Sequence, residues 1–502
     1  MSSLPPFQLF NTLSGKVESL APLEPNHLRM YNCGPTVYSY AHIGNFRTFL
    51  TSDLIVRVAQ AIAWKTSYVS NITDVGHLTE DDFADASGED KMARALRSKE
   101  GERFANVWDL ARYYTESLLT DWSLLNLRPP DVRPRATEHV TQQIEAIEQL
   151  IARGHAYETD SGVYFSVSSF PDYGKLSGNN SADQLENAVR DVVVDGNKRD
   201  PRDFALWKKD DKHLMQWFSP FGRGFPGWHI ECSVMSMQYL GPHLDLHAGG
   251  EDLIFPHHEC EIAQSEGLTD QPFASIWTHT RFLHVEGEKM SKSKGNFYTV
   301  RDLTAPESEG GKGIDPLALR LALISGQYRK PFNFTFKNLN DCLRIVDRYR
   351  DALALADRAI ADGKAGEDLL GHPLDVVFKE TLFALLDDLN TPEALAASLE
   401  GVKLINGTKA LNAASGRSAR AWIERVNDLL GIVWHEDATV MPAVAEPATD
   451  SLADRVESLL KERTAARRNR DFARADAIRA ELDELNIDVM DSPEGSTWRR
   501  KR

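Results

Sequence analysis

His27-Leu28-Arg29-Met30-Tyr31-Asn32 leads into Cys33-Gly34-Pro35, and His42-Ile43-Gly44-Asn45 then opens a long helical pattern. The first six residues read as a short strand, which the glycine and proline break. From Asn45 to Ala63 the apolar residues Phe46, Phe49, Leu50, Leu54, Val58 and Ile62 recur at helical spacing. Ser67 to Ile72 is β-rich again. Strand, glycine-containing turn, helix and strand make a βαβ unit, the start of a doubly wound α/β nucleotide-binding sheet. His42 to Asn45 stand where such a fold holds phosphate, because helix N-terminal amides and the helix dipole favour anions there. Gly44 lets backbone approach a ligand, and His42 can donate to a phosphoryl oxygen. Alone these four residues are a weak signal, since a histidine before a helix is more often a cap or a surface residue.

Outward from this nucleus, 502 residues at 42% apolar suggest a soluble chain of two to four domains. No apolar run is long enough to span a bilayer, and the N-terminus lacks the pattern of a secretory signal. Cys33, Cys232, Cys260 and Cys342 are too scattered for a disulfide framework, so a reducing, cytosolic setting is expected. A net charge of -17 argues against a surface that grips nucleic acid everywhere, although a local basic patch can still do so. Arg467, Arg468, Arg470 and Arg474, and then Arg499, Arg500, Lys501 and Arg502, form such a patch. Acidic residues interleave there, so a solvated helix face is an equal reading.

Lys289-Met290-Ser291-Lys292-Ser293 is sharper. Two lysines flank small hydroxyl residues in a loop after an expected strand, Arg281 to Val285, and Lys294-Gly295-Asn296 keeps the segment flexible. Such lysines can close over a pyrophosphate as negative charge moves onto it. The pair of motifs resembles the class I aminoacyl-tRNA synthetases: residues 42–45 resemble their HIGH motif and 289–293 match KMSKS letter for letter. Asn45 departs from the usual second histidine, keeping a hydrogen-bond donor but no titratable proton. Gly249-Gly250-Glu251-Asp252 resembles the segment of that class that meets adenosine, with Asp252 near the ribose. The resemblance implies a Rossmann catalytic domain in two halves, 1–125 and 213–278, split by a connective insertion at 126–212. Pro129, Pro130 and Pro134 mark the junction, and a helix is expected over Glu138 to Arg153. A connector with the lysine loop (279–337), a helical bundle (338–436), a linker from Asp437 to Asp450 and a small C-terminal domain (451–502) follow.

No C-x-x-C pair announces a metal. Cys33, Cys232, His257 and Glu261 are each unremarkable alone: buried structural cysteines and a histidine–glutamate pair four apart on one helix face after Pro256. Together they are similar to the zinc ligands of the cysteinyl-tRNA synthetases, which implies one zinc per chain in an amino-acid pocket lined by Gly34, Thr73 and Trp228. His258, beside His257, is the alternative ligand. The segment Lys198 to Lys208 and the ending Gly495 to Lys501 also resemble that family. The resemblance implies L-cysteine, ATP (with Mg2+) and tRNA(Cys) as substrates, and a monomer with no membrane partner. It implies ATP contacts at His42, Gly44, Asn45, Gly249, Asp252 and Lys292, with His42, Asn45, Lys289 and Lys292 assisting the chemistry, and tRNA contacts at Trp498, Arg499 and Arg500. Two rivals remain on the sequence: a ligase passing cysteine to an amino sugar, and a non-catalytic RNA-binding relative.

Overall fold

The computed structural model describes residues 4–76, 90–179, 197–408, 411–436, 459–460, 462–463, 466, 472–484, 487–492 and 495–500. The linker expected at 437–450 lies outside these, as do Arg467, Arg468, Arg470, Lys501 and Arg502. The chain divides into two compact units, Met1–Asp437 and Ala438–Arg502.

In the first unit β1 (Gln8–Asn11) and β2 (Lys16–Ser19) form a hairpin, and β3 (His27–Asn32), helix α1 (Ile43–Ala61) and β4 (Lys65–Ser70) form the βαβ unit. Helices α2 (Lys91–Leu96), α3 (Val107–Leu124) and α4 (Val140–Ala152) follow. The insertion folds as a separate antiparallel sheet of β5 (Ala156–Glu158), β6 (Gly162–Phe165), β7 (Phe204–Lys208) and β8 (Phe225–Pro226). Its residues Val163, Phe165, Phe204, Leu206 and Trp207 pack with Ile147 and Leu150 of α4, and with Ile230, Val234, Cys260 and Ala263 further along the chain, into one core. The chain then returns through α5 (Trp228–Leu240), β9 (Leu244–Gly250), α6 (Glu259–Thr269) and β10 (Ala274–Thr280).

The catalytic sheet runs β10-β9-β3-β4, with every pair parallel. Its strands are buried on both faces, as covered parallel sheets require. β3 sends its connection to β4 on one side and pairs with β9 on the other. That reversal opens a crevice at the carboxyl edge, the usual ligand position in such folds.

The expected strand at Arg281 to Val285 is shorter, β11 (Leu283–Val285). It pairs with β12 (Glu288–Lys289) and, in parallel, with β13 (Phe332–Phe334). The longer strand β10 just before it gave no separate sequence signal. Helices α7 (Val300–Thr304) and α8 (Pro316–Ile324) lead to a bundle of α9 (Phe336–Asp362), α10 (Gly371–Leu386), α11 (Thr391–Gly407) and α12 (Ala413–Leu430). In the second unit α13 (Phe472–Glu484) precedes a hairpin of β14 (Ile487–Ser492) and β15 (Gly495–Arg500), in which Val489 opposes Trp498.

A buried charge cluster ties α1 to the bundle. Asp53 accepts from Arg57 Nε at 2.8 Å, from the Arg320 guanidinium and from the Arg128 N–H at 2.8 Å. Arg57 also pairs with Glu436 and donates to the Asn126 carbonyl at 2.7 Å, while Arg320 donates to the Leu430 carbonyl at 2.7 Å. Burial works against the Asp53 carboxylate, but the two guanidiniums outweigh it and hold it below the usual carboxylate range. Asp53→Asn leaves two buried cations short of an anion, and a loss of about 3–5 kcal/mol is expected. A denaturant titration reads this as a lower midpoint for the first unit; a midpoint unchanged within error would show that the arginines need no partner at Asp53.

Candidate functional site

At the carboxyl edge Asn32 of β3 lies opposite Ser70 of β4 and Ala248 of β9, so the residues that follow β3 and β4 emerge side by side. Gly34 N–H donates to Asn71 Oδ1 at 2.7 Å, and Asn71 Nδ2 donates to Thr73 Oγ1 at 3.0 Å. A Cβ at Gly34 would stand 1.7 Å from the Asn71 carbonyl oxygen, so only glycine fits. Cys232, on α5, points its thiol at Asn71 Oδ1 from 3.8 Å. Asn71 therefore joins Gly34, Thr73 and Cys232. Its amide marked it as polar in the sequence, but no spacing rule assigned it this position.

Cys33, Cys232, His257 and Glu261 bring one ligand atom each to within 4.8 Å of all the others, and all four are buried. The sequence predicts His257 and Glu261 on one helix. Instead α6 begins at Glu259, and His257 sits in a π-helical turn, Ile254–His258, interrupted by extended backbone at Phe255. Such turns recur at functional sites. The pairing survives the difference, with His257 Nε2 at 3.0 Å from Glu261 Oε1.

Cys33, His247, His258 and Glu261 also meet the same distance limit. His258 Nε2 lies 3.4 Å from the Cys33 sulfur, and its Nδ1 faces His279 at 2.7 Å. His247 takes the other Glu261 oxygen at 2.9 Å. The first group offers two thiolates, an imidazole and a carboxylate, a donor set suited to zinc. The second offers only one thiolate. Sequence reasoning missed His229, whose Nδ1 lies 2.8 Å from His257 Nδ1 and so turns Nε2 toward Glu261. Trp228 lies over His257 with ring centroids 4.2 Å apart.

These groups already polarise one another. Burial opposes the His257 imidazolium, yet the Glu261 carboxylate holds its pKa up to about 10. Burial raises Glu261 in turn, but His247 and His257 bring it down to about 2. Burial pushes the Cys33 thiol well up. It would do the same to Cys232, but the hydrogen bond with Cys33 and the adjacent His257 bring that thiol down. Glu261 and Cys232 are thus disposed to carry negative charge, whereas a cation bound among them would displace the protons of Cys33 and His257.

His42 caps α1. Its Nδ1 accepts from Asn45 N–H and Asn45 Oδ1 accepts from His42 N–H, both at 3.1 Å, a reciprocal capping box. A neutral His42 ring bonded this way carries its proton on Nε2. Asparagine in place of the second histidine thus uses its oxygen for the cap and has its NH2 to offer a phosphate. Gly44 lies beneath Met290: a Cβ there would be 2.9 Å from the Met290 methyl.

The lysine segment is joined to this cap. Ile43 N–H donates to the Tyr298 carbonyl at 3.0 Å, His42 bridges to Thr299, and Phe297 meets the His42 ring edge-on at 5.1 Å. The segment is more ordered than a plain loop: Lys289 ends β12, and Asn296 braces it by accepting from Ser291 N–H at 2.8 Å and donating to the Lys289 carbonyl at 3.2 Å. The Lys292 side chain lies outside the described residues.

Gly249 and Gly250 end β9, and Asp252 lies in the short 3-10 turn after it. Glu251 of that turn pairs with Arg281 at 2.7 Å and accepts from Phe282 N–H, linking it to the root of the lysine hairpin. Trp498, Arg499 and Arg500 lie in β15 of the second unit, with side chains outside the described residues. Among the described residues no helix is long and apolar enough to cross a membrane.

Residues 19–344 match the family model of tRNA synthetases class I (C) catalytic domain. Residues 383–434 match the DALR domain, and 449–499 match the cysteinyl-tRNA ligase anticodon binding domain. A cysteine–tRNA ligase of Salinibacter ruber is 59% identical over 510 aligned residues, covering 99% of each chain. One from Rhodospirillum rubrum is 42% identical, over 98% of this chain and 99% of that one. The solved structure of Mycobacterium tuberculosis methionyl-tRNA synthetase with methionyl-adenylate matches 81% of this chain and 92% of its own with a TM-score of 0.55; at 14% identity it supports the fold alone. On its catalytic-domain match and these full-length relatives, the chain belongs to the cysteine–tRNA ligases, class I aminoacyl-tRNA synthetases.

Proposed function

We propose that the chain activates L-cysteine with ATP and esterifies it to the 3′ end of tRNA(Cys), selecting the amino acid through a zinc ion held by Cys33, Cys232, His257 and Glu261. The observation that carries this reading is the convergence of those four buried side chains beside Gly34, Asn71 and Thr73. Zinc bound there would accept the substrate thiolate as a further ligand, which serine's protonated hydroxyl matches poorly. Trp228 closes one side of the pocket.

The residues then act by position and charge. The N-terminus of helix α1 faces the ATP phosphates, its dipole favouring their charge, with His42 Nε2–H and the Asn45 NH2 as donors. Gly249 and Asp252 receive the adenosine. The cysteine carboxylate attacks the α-phosphate, and pyrophosphate leaves toward Lys289 and Lys292, whose charges stabilise it. A terminal ribose hydroxyl of the tRNA then displaces AMP from the adenylate. No protein nucleophile takes part. We assign the second unit, with Trp498, Arg499 and Arg500, to anticodon binding, and the chain to a reducing cytosol as a monomer. The match of 449–499 to an anticodon-binding domain supports tRNA over an amino sugar as acceptor.

ATP–pyrophosphate exchange measured with cysteine and with serine tests the activation step. Truncation after Asp437 is expected to spare cysteine-dependent exchange and to raise the KM for tRNA at least tenfold. An aromatic stack alone contributes about 1–3 kcal/mol, and phosphate contacts add to it. Exchange driven equally by serine would sink the selection claim. A folded truncation with unchanged KM would sink the anticodon assignment.

A further inference from the structure

Helix α3 carries an acid that the mechanism above does not use. Asp121 is 1% exposed and pairs with Arg301, whose Nε lies 3.2 Å from Asp121 Oδ1. Burial drives the Asp121 carboxyl up to about 7, even with the Arg301 cation pulling the other way. A buried ion pair often returns little net stability, so its use is to be sought in what it holds in place.

Arg301 reaches two more groups. Its Nη2 donates to the Ser117 carbonyl at 3.3 Å, and its guanidinium carbon stands 5.1 Å from the centroid of the Tyr40 ring. Tyr40 is itself held by α3: its hydroxyl lies 2.7 Å from that of Tyr113, and Tyr114 meets its ring edge-on at 5.1 Å. Tyr113, Ser117 and Asp121 recur every four residues and so share one face of α3. Tyr40 stands two residues before His42, and Arg301 belongs to α7, whose cap residue Thr299 bridges to His42. Asp302 accepts from Thr299 N–H at 2.7 Å, and Thr299 Oγ1 accepts from Asp302 N–H at 3.2 Å. This capping box joins α7 firmly to the end of the lysine segment.

We propose that Arg301 is a positioning residue for adenylate formation: by pinning α7 to α3 and to Tyr40, it sets where the lysine segment stands against the cap of α1. The inference rests on the activation reading above. One planar fork meets Asp121 and the Ser117 carbonyl while standing over the Tyr40 ring. A lysine ammonium can meet the carboxylate but cannot make all three contacts.

Arg301→Lys therefore keeps the buried charge balanced and removes the rest. It is expected to slow single-turnover adenylate formation roughly ten- to a hundredfold, as a small misplacement from a remote site can, with the Kd for cysteine nearly unchanged. In the Lys292→Ala background the same change should cost less than about threefold, because the charge it aims is already gone. Equal costs in the two backgrounds, or no loss in Arg301→Lys, overturns the proposal and leaves the pair a purely stabilising one. Should Arg301→Lys fail to fold, the neutral pair Asp121→Asn with Arg301→Gln, which strands no charge, takes the same measurements. Hydrogen–deuterium exchange reads the contact without substrates. Arg301→Lys is expected to speed exchange across 289–298 and in the peptide containing Ile43, whose N–H is bonded to the Tyr298 carbonyl, and to leave β9 unchanged. Unaltered exchange in those segments also overturns the proposal. Wild-type protein that forms no adenylate, with exchange responding as expected, would refute the activation reading and leave the hold of Arg301 on the lysine segment standing.

Discussion

Cys232→Ser is expected to release the metal and to lower cysteine-dependent ATP–pyrophosphate exchange by more than about a hundredfold. Loss of a residue that merely supports a metal ligand typically costs 10–100-fold in affinity or activity, and here a proposed ligand itself is lost. Cys232 is one of two thiolates in the group, and the softer donors distinguish this set from a plain histidine–carboxylate cluster. Its thiol is also the one whose pKa is lowered, by Cys33 and His257 against the effect of burial. A serine hydroxyl there stays protonated. The Cys342→Ser variant is the control, since Cys342 lies in α9 of the helical bundle and belongs to neither metal-competent group. Metal analysis of the purified variants, paired with the exchange assay, decides the matter. Full zinc content and full activity in Cys232→Ser would mean that the ligands are other residues, with His247 and His258 the next to replace.

The second large effect is expected at Lys292. Lys292→Ala should slow adenylate formation by about 10²–10³-fold, the usual cost of removing one group aimed at developing charge, with the Kd for cysteine nearly unchanged. The two effects separate because the proposed amino-acid pocket, with Gly34, Thr73 and the metal group, lies at the strand ends, whereas residues 289–293 connect to the α1 cap. An interaction made only as pyrophosphate departs lowers the rate and leaves ground-state binding alone. Single-turnover adenylate formation and equilibrium cysteine binding give the two numbers. A loss lying wholly in cysteine affinity would remove Lys292 from the phosphate end of the reaction.

The βαβ unit was legible because local chemistry and tertiary role agree in it: β3 is an uninterrupted strand, a glycine and proline end it, and α1 has a helical apolar pattern. The lysine segment was legible for the same reason. The metal group was not legible from spacing, because its members come from four separate places: the end of β3, α5, the π-helical turn and α6. Only the family resemblance gathered them in the sequence. Asn71 and His229 escaped even that, since each acts by holding another residue, and such a role appears only when the partner's position is known. The capping role of Asn45 was hidden differently. Read against a histidine, asparagine looks like a loss, but its oxygen reaches the His42 N–H and closes the first turn of α1.

The lysine segment lies between two bends with left-handed backbone, Glu286 and Gly287 upstream (φ 49° and 84°) and Gly295 downstream (φ 67°). Beyond the second bend the chain is fastened to the cap of α1 through Tyr298 and Thr299. It is therefore a strap with one end riveted to the N-terminal turn of α1, the proposed phosphate site. Under the proposed reading, a phosphate that shifts the α1 terminus also shifts the backbone carrying Lys289 and Lys292, through these two hydrogen-bonded links and a short stretch of chain. The reach of the lysines is then set by chain length rather than left to a free loop.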